Sequence, residues 1–163
     1  MNVKPTRLLL AEDDEALASL LEEYLIESGY DVEVHHRGDS AMAALEQRQF
    51  DLILSDIVMP GADGLALLNY AREHRPDSMV LLMTGFSGIE NALHAVEQGA
   101  YDFVSKPFQL PELRVRLDNA ARYQRLLRRF NNLRDKTVTI AETRRNDGPM
   151  VVRAYDRNAA SQF

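Results

Sequence analysis

The feature that most constrains the fold is the regular alternation of short apolar segments with segments of helical periodicity. Five runs have the length and composition of strands, and an amphipathic, helix-length segment follows each of them. The predicted strands are Arg7–Ala11, Asp31–His35, Asp51–Ser55, Met79–Met83 and Tyr101–Ser105. The predicted helices are Glu15–Ser28, a helix capped by Asp39 or Ser40 that ends near Arg48, Leu65–His74, Gly88–Gln98, and a helix that starts near Leu110.

Strands that alternate with helices in this way predict a parallel sheet covered by helices on both faces. Crossovers between parallel strands are right-handed, which leaves few possible strand orders. The predicted fold class is therefore α/β, a doubly wound (βα)5 sheet of the flavodoxin type. Ligands of such sheets bind beyond the carboxyl ends of the strands, where the strand order reverses. The residues that follow each strand are thus the candidates for a functional site.

Chemically distinct side chains follow four of the five predicted strands. In chain order they are the four acids Glu12–Glu15, then Asp56, Thr84 with Gly85, and Lys106. Each group alone has an ordinary structural explanation, such as compensation of a helix dipole or a surface turn. Those explanations do not account for all four groups at successive strand ends. The pattern predicts one site that they share.

The three carboxylates Glu12, Asp13 and Asp56 predict a magnesium site. Clustered carboxylates repel one another unless a cation neutralises them. Mg²⁺ prefers octahedral oxygen coordination by one or two carboxylates, waters and phosphate oxygens. A backbone carbonyl just after Asp56 could supply one more oxygen.

The remaining groups suit a phosphate. Lys106 carries a point charge for phosphate oxygens, Thr84 has a hydroxyl donor, and Gly85 lets its backbone N–H approach closely. Pre-placed donors around one carboxylate are what phosphoryl transfer requires. The sequence therefore predicts that Asp56 is a nucleophile that forms an acyl phosphate.

Four segments together resemble the receiver domain of bacterial two-component response regulators over residues 6–122. They read LLLAEDDEAL, DLILSDIVMPGADGLALL, VLLMTGFS and GAYDFVSKPF. The resemblance implies that Asp56 accepts phosphate from a sensor histidine kinase or phosphotransfer protein in the cytoplasm. It also implies that Asp13 binds Mg²⁺ directly, Glu12 binds it through water, and the Val58 carbonyl is a third protein ligand.

The same resemblance implies how the signal leaves the site. Thr84 and Lys106 take the positions of the switch hydroxyl and the phosphate-binding lysine, and Phe103 takes that of the switch aromatic. The face formed by the fourth helix, fifth strand and fifth helix then changes shape and binds a downstream protein or a second copy of the chain. The Lys106-Pro107 bond is expected to be cis. No catalysis is expected beyond the protein's own phosphorylation and dephosphorylation.

The C-terminal third extends past the receiver-like part. Residues 123–136 are predicted to prolong the fifth helix to about Arg134, as a possible dimerising linker with an apolar stripe. Residues 137–163 form either a hairpin, with strands Thr137–Ile140 and Met150–Tyr155, or a disordered tail. The segment that most resembles sigma-54-dependent activators precedes this region, and no output domain of known type follows.

Charge and composition restrict the partners. Residues 1–110 contain 7 Lys and Arg against 19 Asp and Glu, whereas residues 111–163 contain 12 against 6. The basic part could meet phosphates, but without an element that reads bases nucleic-acid binding is not expected. The sequence has no cysteine, which excludes disulfides and thiolate metal sites. It also has no apolar run of the roughly 20 residues that a membrane span needs.

Three alternatives stay open. The chain could be a truncated sigma-54-type transcription activator whose output part is missing. A flavin-binding protein of the same fold is a second alternative, although acids stand at Glu12–Glu15, where a loop of Ser, Thr and Gly would be expected. The third is an aspartate-nucleophile phosphatase, which usually has a second Asp where this chain has Val58.

Overall fold

The computed structural model describes residues 4–146, and the side chains of residues 4–136 other than that of Phe86. The chain forms two compact units, of which the first ends at Gln124 and the second begins at Arg125. The elements in chain order are β1 (Arg7–Ala11), α1 (Glu15–Glu27), β2 (Asp31–His35), α2 (Gly38–Gln47), β3 (Leu52–Asp56), α3 (Gly64–His74), β4 (Met79–Thr84), a 3-10 turn (Phe86–Gly88), α4 (Ile89–Glu97), β5 (Asp102–Ser105) and α5 (Leu110–Asn146).

The five strands form one parallel sheet in the order β2-β1-β3-β4-β5. This is the doubly wound α/β fold that the sequence predicted. The chain order reverses between β1 and β3, so the carboxyl ends of these two strands border the crevice where such sheets bind ligands. The register pairs Ala11 with Ser55, Asp56 with Met83, and Thr84 with Ser105. Residues that end or follow these strands therefore lie at one edge of the sheet.

The central strands are buried because their apolar runs face helices on both sides. Every residue of β3 and β4 is buried, and so are the last four residues of β1. Strand β2, at the edge of the sheet, alternates polar and apolar residues and has none that is fully buried. Continuous apolar sequence thus marks the interior strands, and alternation marks the edge.

Two strand ends differ from the predicted bounds in a way that matters for the site. β3 runs over Leu52–Asp56, one residue later than predicted, so Asp56 is its last residue. Asp51 instead precedes the strand and accepts a hydrogen bond from the Arg7 backbone N–H (2.8 Å). Thr84 is likewise the last residue of β4. Both side chains are therefore held by the sheet rather than by a loop.

The predicted cap of α2 was wrong. The helix begins at Gly38, and neither Asp39 nor Ser40 is its N-cap. The N-cap is Arg37, which makes no side-chain capping bond. The Gly38 N–H donates to the Pro60 carbonyl (2.9 Å), so an acceptor elsewhere in the fold satisfies a donor that a capping side chain would otherwise meet.

Helix α5 is longer than predicted. It continues past Arg134 to Asn146 and includes Thr137–Ile140, which was therefore wrong as a strand of a hairpin. Extending an existing helix gains one hydrogen bond per residue, whereas β-branched residues carry only a small penalty. The other candidate strand, Met150–Tyr155, lies outside the described residues. Within the described residues, none of the helices is long and apolar enough to cross a membrane.

Candidate functional site

Glu12 is the first residue after β1 and is held by its backbone. Its N–H donates to the His35 carbonyl (3.0 Å), which extends the β1–β2 ladder by one bond. The Glu12 side chain is fully buried, and its Oε1 accepts a hydrogen bond from the Asp14 N–H (3.0 Å). One neighbour was not predicted from the sequence: His36 Nδ1 lies 3.1 Å from the Glu12 carbonyl oxygen.

The predicted carboxylate cluster lies at the carboxyl edge of the sheet. One oxygen from each of Glu12, Asp13 and Asp56 lies within 4.8 Å of the others. Asp56 is buried and Asp13 is exposed, so the cluster opens to solvent on one side. Asp14 is not part of it, because its carboxylate caps α1 by accepting from the Leu17 N–H (3.1 Å). Hard oxygen donors at this spacing fit a divalent cation such as Mg²⁺.

Lys106 joins the two buried carboxylates. Its Nζ lies 2.7 Å from Asp56 Oδ1 and 2.9 Å from Glu12 Oε2. Its backbone N–H donates to the Thr84 carbonyl (2.7 Å), which places the end of β5 beside that of β4. The Lys106-Pro107 peptide bond is cis, as the resemblance implied.

The three charges shift one another's pKa values. Burial raises the pKa of Asp56 to about 8, the neighbouring Glu12 adds to the shift, and Lys106 opposes it. Burial also disfavours ionised Glu12, but hydrogen bonds from Asp56, Lys106 and the Asp14 N–H outweigh it and lower the pKa of Glu12. For Lys106 burial disfavours the charged form, yet both carboxylates outweigh burial and raise its pKa. One ammonium is thus not enough to keep both buried carboxylates ionised, and a bound cation would favour the ionised form of Asp56.

The loop after Asp56 is fixed by backbone packing that no sequence pattern predicts. The Gly64 N–H donates to the Ile57 carbonyl (2.8 Å), and a β-carbon on Gly64 would overlap the Asp56 carbonyl oxygen. A β-carbon on Gly38 would overlap the Ala62 carbonyl oxygen. The only signal for either role is a glycine at the start of a helix, which is too common to be informative on its own.

Thr84 is buried at the end of β4, and its hydroxyl donates to the Gly85 carbonyl (3.1 Å). Gly85 is exposed and has a φ of −74°, a conformation open to any residue. A β-carbon there would meet no atom within 4 Å. Gly85 therefore leaves its side of the site open, although its backbone conformation does not require glycine.

Comparison with known proteins gives the family. Residues 8–118 match the family described as the response regulator receiver domain. This chain belongs to that family. Receiver domains are modules of response regulators in two-component signalling.

The receiver is similar to parts of longer regulators. It is 38% identical over 117 residues to the response regulator protein FleR of Pseudomonas aeruginosa, covering 72% of this chain and 24% of FleR. It is 38% identical over 103 residues to the DNA-binding transcriptional regulator NtrC of Salmonella typhimurium, covering 63% of this chain and 22% of NtrC. The chain thus spans about a quarter of the length of these curated relatives.

Solved structures agree with the fold. NtrX from Brucella abortus has a TM-score of 0.74 at 31% identity, over 80% of this chain and 30% of that one. A CheY-like receiver domain protein from Methanospirillum hungatei has a TM-score of 0.71 at 28% identity, over 75% of this chain and 98% of that one.

Two further predicted site residues are Phe103 and Val58. Phe103 is in β5, opposite Leu82, and is partly buried against the core. The Val58 side chain is 81% exposed, so its expected contribution rests on its backbone carbonyl. The roles of both residues stay predictions.

Proposed function

We propose that this receiver accepts a phosphoryl group on Asp56 from a phosphohistidine of a sensor kinase or phosphotransfer protein. One observation carries the proposal. The oxygens of Glu12, Asp13 and Asp56 lie within 4.8 Å of one another, and the Lys106 ammonium lies 2.7 Å from Asp56. A buried carboxylate that is next to two carboxylates able to hold a cation, and that also contacts an ammonium, suits attack on a phosphoryl group.

The transfer forms one bond and breaks another. An Asp56 carboxylate oxygen bonds to phosphorus as the P–N bond of the donor breaks, and the histidine nitrogen leaves with the electron pair. Ser55 Oγ donates to the Asp56 carbonyl oxygen (2.8 Å), and Ile57 N–H donates to the Met83 carbonyl (3.0 Å). These bonds hold the backbone on both sides of the nucleophile in place, and a displacement of about 1 Å can cost a hundredfold in rate.

The residues around Asp56 would receive the charge that the phosphoryl group brings. A Mg²⁺ ion held by Glu12, Asp13, Asp56 and the Val58 carbonyl would neutralise part of that charge. Lys106, which now bridges two carboxylates, would turn one of its donors to a phosphoryl oxygen. The Thr84 hydroxyl and the Gly85 N–H would supply neutral donors.

The output face is the one formed by α4, β5 and α5. Thr84 would leave its present hydrogen bond for the phosphoryl group, and Phe103 would move into the space that becomes free. Large apolar side chains are exposed on the two helices of this face: Leu93 and Val96 on α4, and Val115 and Tyr123 on α5. This surface would bind a downstream protein or a second copy of the chain, in the cytoplasm.

The alternative functions have less in their favour. A flavin phosphate would meet the carboxylates of Glu12 and Asp13, which repel it. An aspartate-nucleophile phosphatase usually has a second aspartate two residues after the nucleophile, and this chain has the exposed Val58 at that position. The relatives found are longer regulators, which agrees with the alternative that this receiver is part of a longer transcription regulator.

Incubation with acetyl phosphate and Mg²⁺, followed by intact-protein mass spectrometry, tests the proposal. We expect the protein to gain one phosphate, and expect none with Asp56→Asn or after removal of Mg²⁺ with a chelator. Asp63→Asn is a matched control, because Asp63 caps α3 and asparagine caps equally well. Equal phosphate uptake by Asp56→Asn and the unmodified protein would contradict the proposal.

A further inference from the structure

Gly88 lies directly against the Thr84 hydroxyl. It ends the 3-10 turn and immediately precedes α4. A β-carbon on Gly88 would overlap Thr84 Oγ1 and would lie 3.5 Å from Thr84 Cβ. The contact is with a side-chain atom and not with the backbone, unlike the contacts at Gly38 and Gly64.

The backbone of Gly88 does not itself require glycine. Its φ of −100° and ψ of 7° fall in a region that other residues occupy. A side chain at position 88 is therefore excluded by lack of room and not by backbone conformation, because the Thr84 hydroxyl occupies the volume that a β-carbon would need.

One carbonyl ties the hydroxyl to the start of α4. The Gly85 carbonyl accepts the Thr84 hydroxyl (3.1 Å) and also the Gly88 N–H (3.0 Å). Removal of the hydroxyl from this place changes the packing of the residue that leads into α4. Thr84 can thus affect the helix directly, without acting through Phe103.

We propose that Gly88 is a positioning residue for Thr84. Because it has no side chain, Gly88 keeps a place for the hydroxyl beside the Gly85 carbonyl in the unphosphorylated protein. Gly88 thereby sets how readily the hydroxyl leaves to contact a phosphoryl group on Asp56. The second half of this inference rests on the proposed function of Thr84.

The substitution Gly88→Ala should shift the equilibrium of the Thr84 hydroxyl in one direction. Its methyl group would force Thr84 to rotate about χ1 into another staggered well and break the bond to the Gly85 carbonyl. The unphosphorylated state loses that bond, whereas the phosphorylated state, in which the hydroxyl has already left, does not. The substitution therefore shifts the equilibrium toward the phosphoryl-bound state.

The test uses the full chain and four variants: Gly88→Ala, Ser87→Ala, Thr84→Ala and the double variant Thr84→Ala/Gly88→Ala. NMR three-bond couplings report the Thr84 rotamer without phosphate, and a titration with beryllium fluoride and Mg²⁺ reports the affinity for a phosphoryl mimic. We expect Gly88→Ala to change the Thr84 couplings and to tighten beryllofluoride binding roughly fivefold. Ser87→Ala, an exposed neighbour, should change neither quantity.

The Thr84→Ala background separates the possible results. With Oγ1 absent, the added methyl group has nothing to displace, so Gly88→Ala should have no effect on affinity there.

If Gly88→Ala alone is unfolded, recovery of folding in the double variant supports the proposal, and failure to recover overturns it. Unchanged Thr84 couplings in folded Gly88→Ala, or an equal affinity change in both backgrounds, would also overturn it. If Thr84→Ala binds beryllofluoride as tightly as the unmodified protein does, the proposed function of Thr84 is wrong, while the couplings still test the contact with Gly88.

Discussion

The loop after β3 and the loop after β4 border the same site but are packed in different ways. Gly38 begins α2 and Gly64 begins α3, and both lie against the backbone of the first loop or of the strand end before it. β-Carbons on them would overlap backbone carbonyl oxygens, which cannot move without moving the chain. In the second loop, a β-carbon on Gly85 would meet nothing, and one on Gly88 would meet a hydroxyl that can rotate. The nucleophile's loop is therefore fixed, and the loop that would respond to phosphate has room to move.

This difference matches what each loop must do. Phosphoryl transfer needs a nucleophile and a cation site that are in place before the donor arrives. A switch needs a group with two positions of similar free energy, so that phosphorylation can shift the equilibrium between them. Gly61, with a φ of +84°, adds to the fixed character of the first loop, since few other residues adopt that conformation.

The largest effect is expected from a β-carbon that presses on the fixed loop from the start of α2. Gly38→Ala places a methyl group on the Ala62 backbone, so we expect the free energy of unfolding to fall by about 3 kcal/mol or more, or folding to fail. Gly85→Ala is the matched substitution in the open loop, and we expect a change within about 0.5 kcal/mol. Urea unfolding measures both. Similar losses for the two variants would remove the contrast between the loops.

Lys106 contacts the two strand ends from which these loops start, through its ammonium to Asp56 and its N–H to the Thr84 carbonyl. Lys106→Ala should slow phosphate uptake from acetyl phosphate on the order of a hundredfold, because one pre-placed donor to the developing charge is lost. The time course of intact mass gives the rate. Lys136→Ala removes an exposed ammonium elsewhere and should leave the rate unchanged. Equal rates in the two variants would contradict a role for Lys106 in phosphate uptake.

Neighbouring acids after β1 should differ in their effect on the cation. Asp13→Asn should weaken Mg²⁺ binding roughly tenfold or more, because one of the three clustered carboxylates is lost. Asp14→Asn should leave Mg²⁺ affinity unchanged, since Asp14 caps α1 and asparagine replaces it there. Titration with Mg²⁺ followed by NMR distinguishes them. A larger loss at Asp14 would mean that the cation site lies one residue further along the chain.

The smallest effect is expected at Val58, whose side chain is exposed on the fixed loop. Val58→Asn offers an amide that can orient water toward the acyl phosphate, so we expect the phosphate's half-life to shorten severalfold. Val58→Leu offers no such group and should keep the original half-life. Neither variant should change the free energy of unfolding. The intact mass of the phosphorylated protein, followed over time, gives the half-life. Equal half-lives in the two variants would mean that another residue orients the water.

The sequence predicted the sheet well because its signals are local. Continuous apolar runs marked β1, β3 and β4, and the polar residues after them pointed to one edge of the sheet. Parallel strands necessarily bring those residues together, so Glu12, Asp56 and Lys106 could be grouped before any contact was known. The resemblance then suggested a role for each of them.

The sequence could not predict features that depend on distant contacts. Gly38 starts a helix without a capping side chain because Pro60, 22 positions further along the chain, supplies the acceptor. Gly64 and Gly88 have roles that appear only when another segment lies against them. The β-branched stretch Thr137–Ile140 suggested a strand, but the helix that precedes it continues through it.

Chemical trapping of the phosphorylated residue tests most directly whether Asp56 is the nucleophile. Borohydride reduces an acyl phosphate of aspartate to homoserine, and peptide mass spectrometry then locates the altered residue. After treatment with acetyl phosphate and Mg²⁺, we expect homoserine at position 56 and unaltered aspartate at positions 13 and 51. Homoserine at either of those positions instead, or a retained phosphate with no reduced aspartate, would contradict phosphorylation of Asp56.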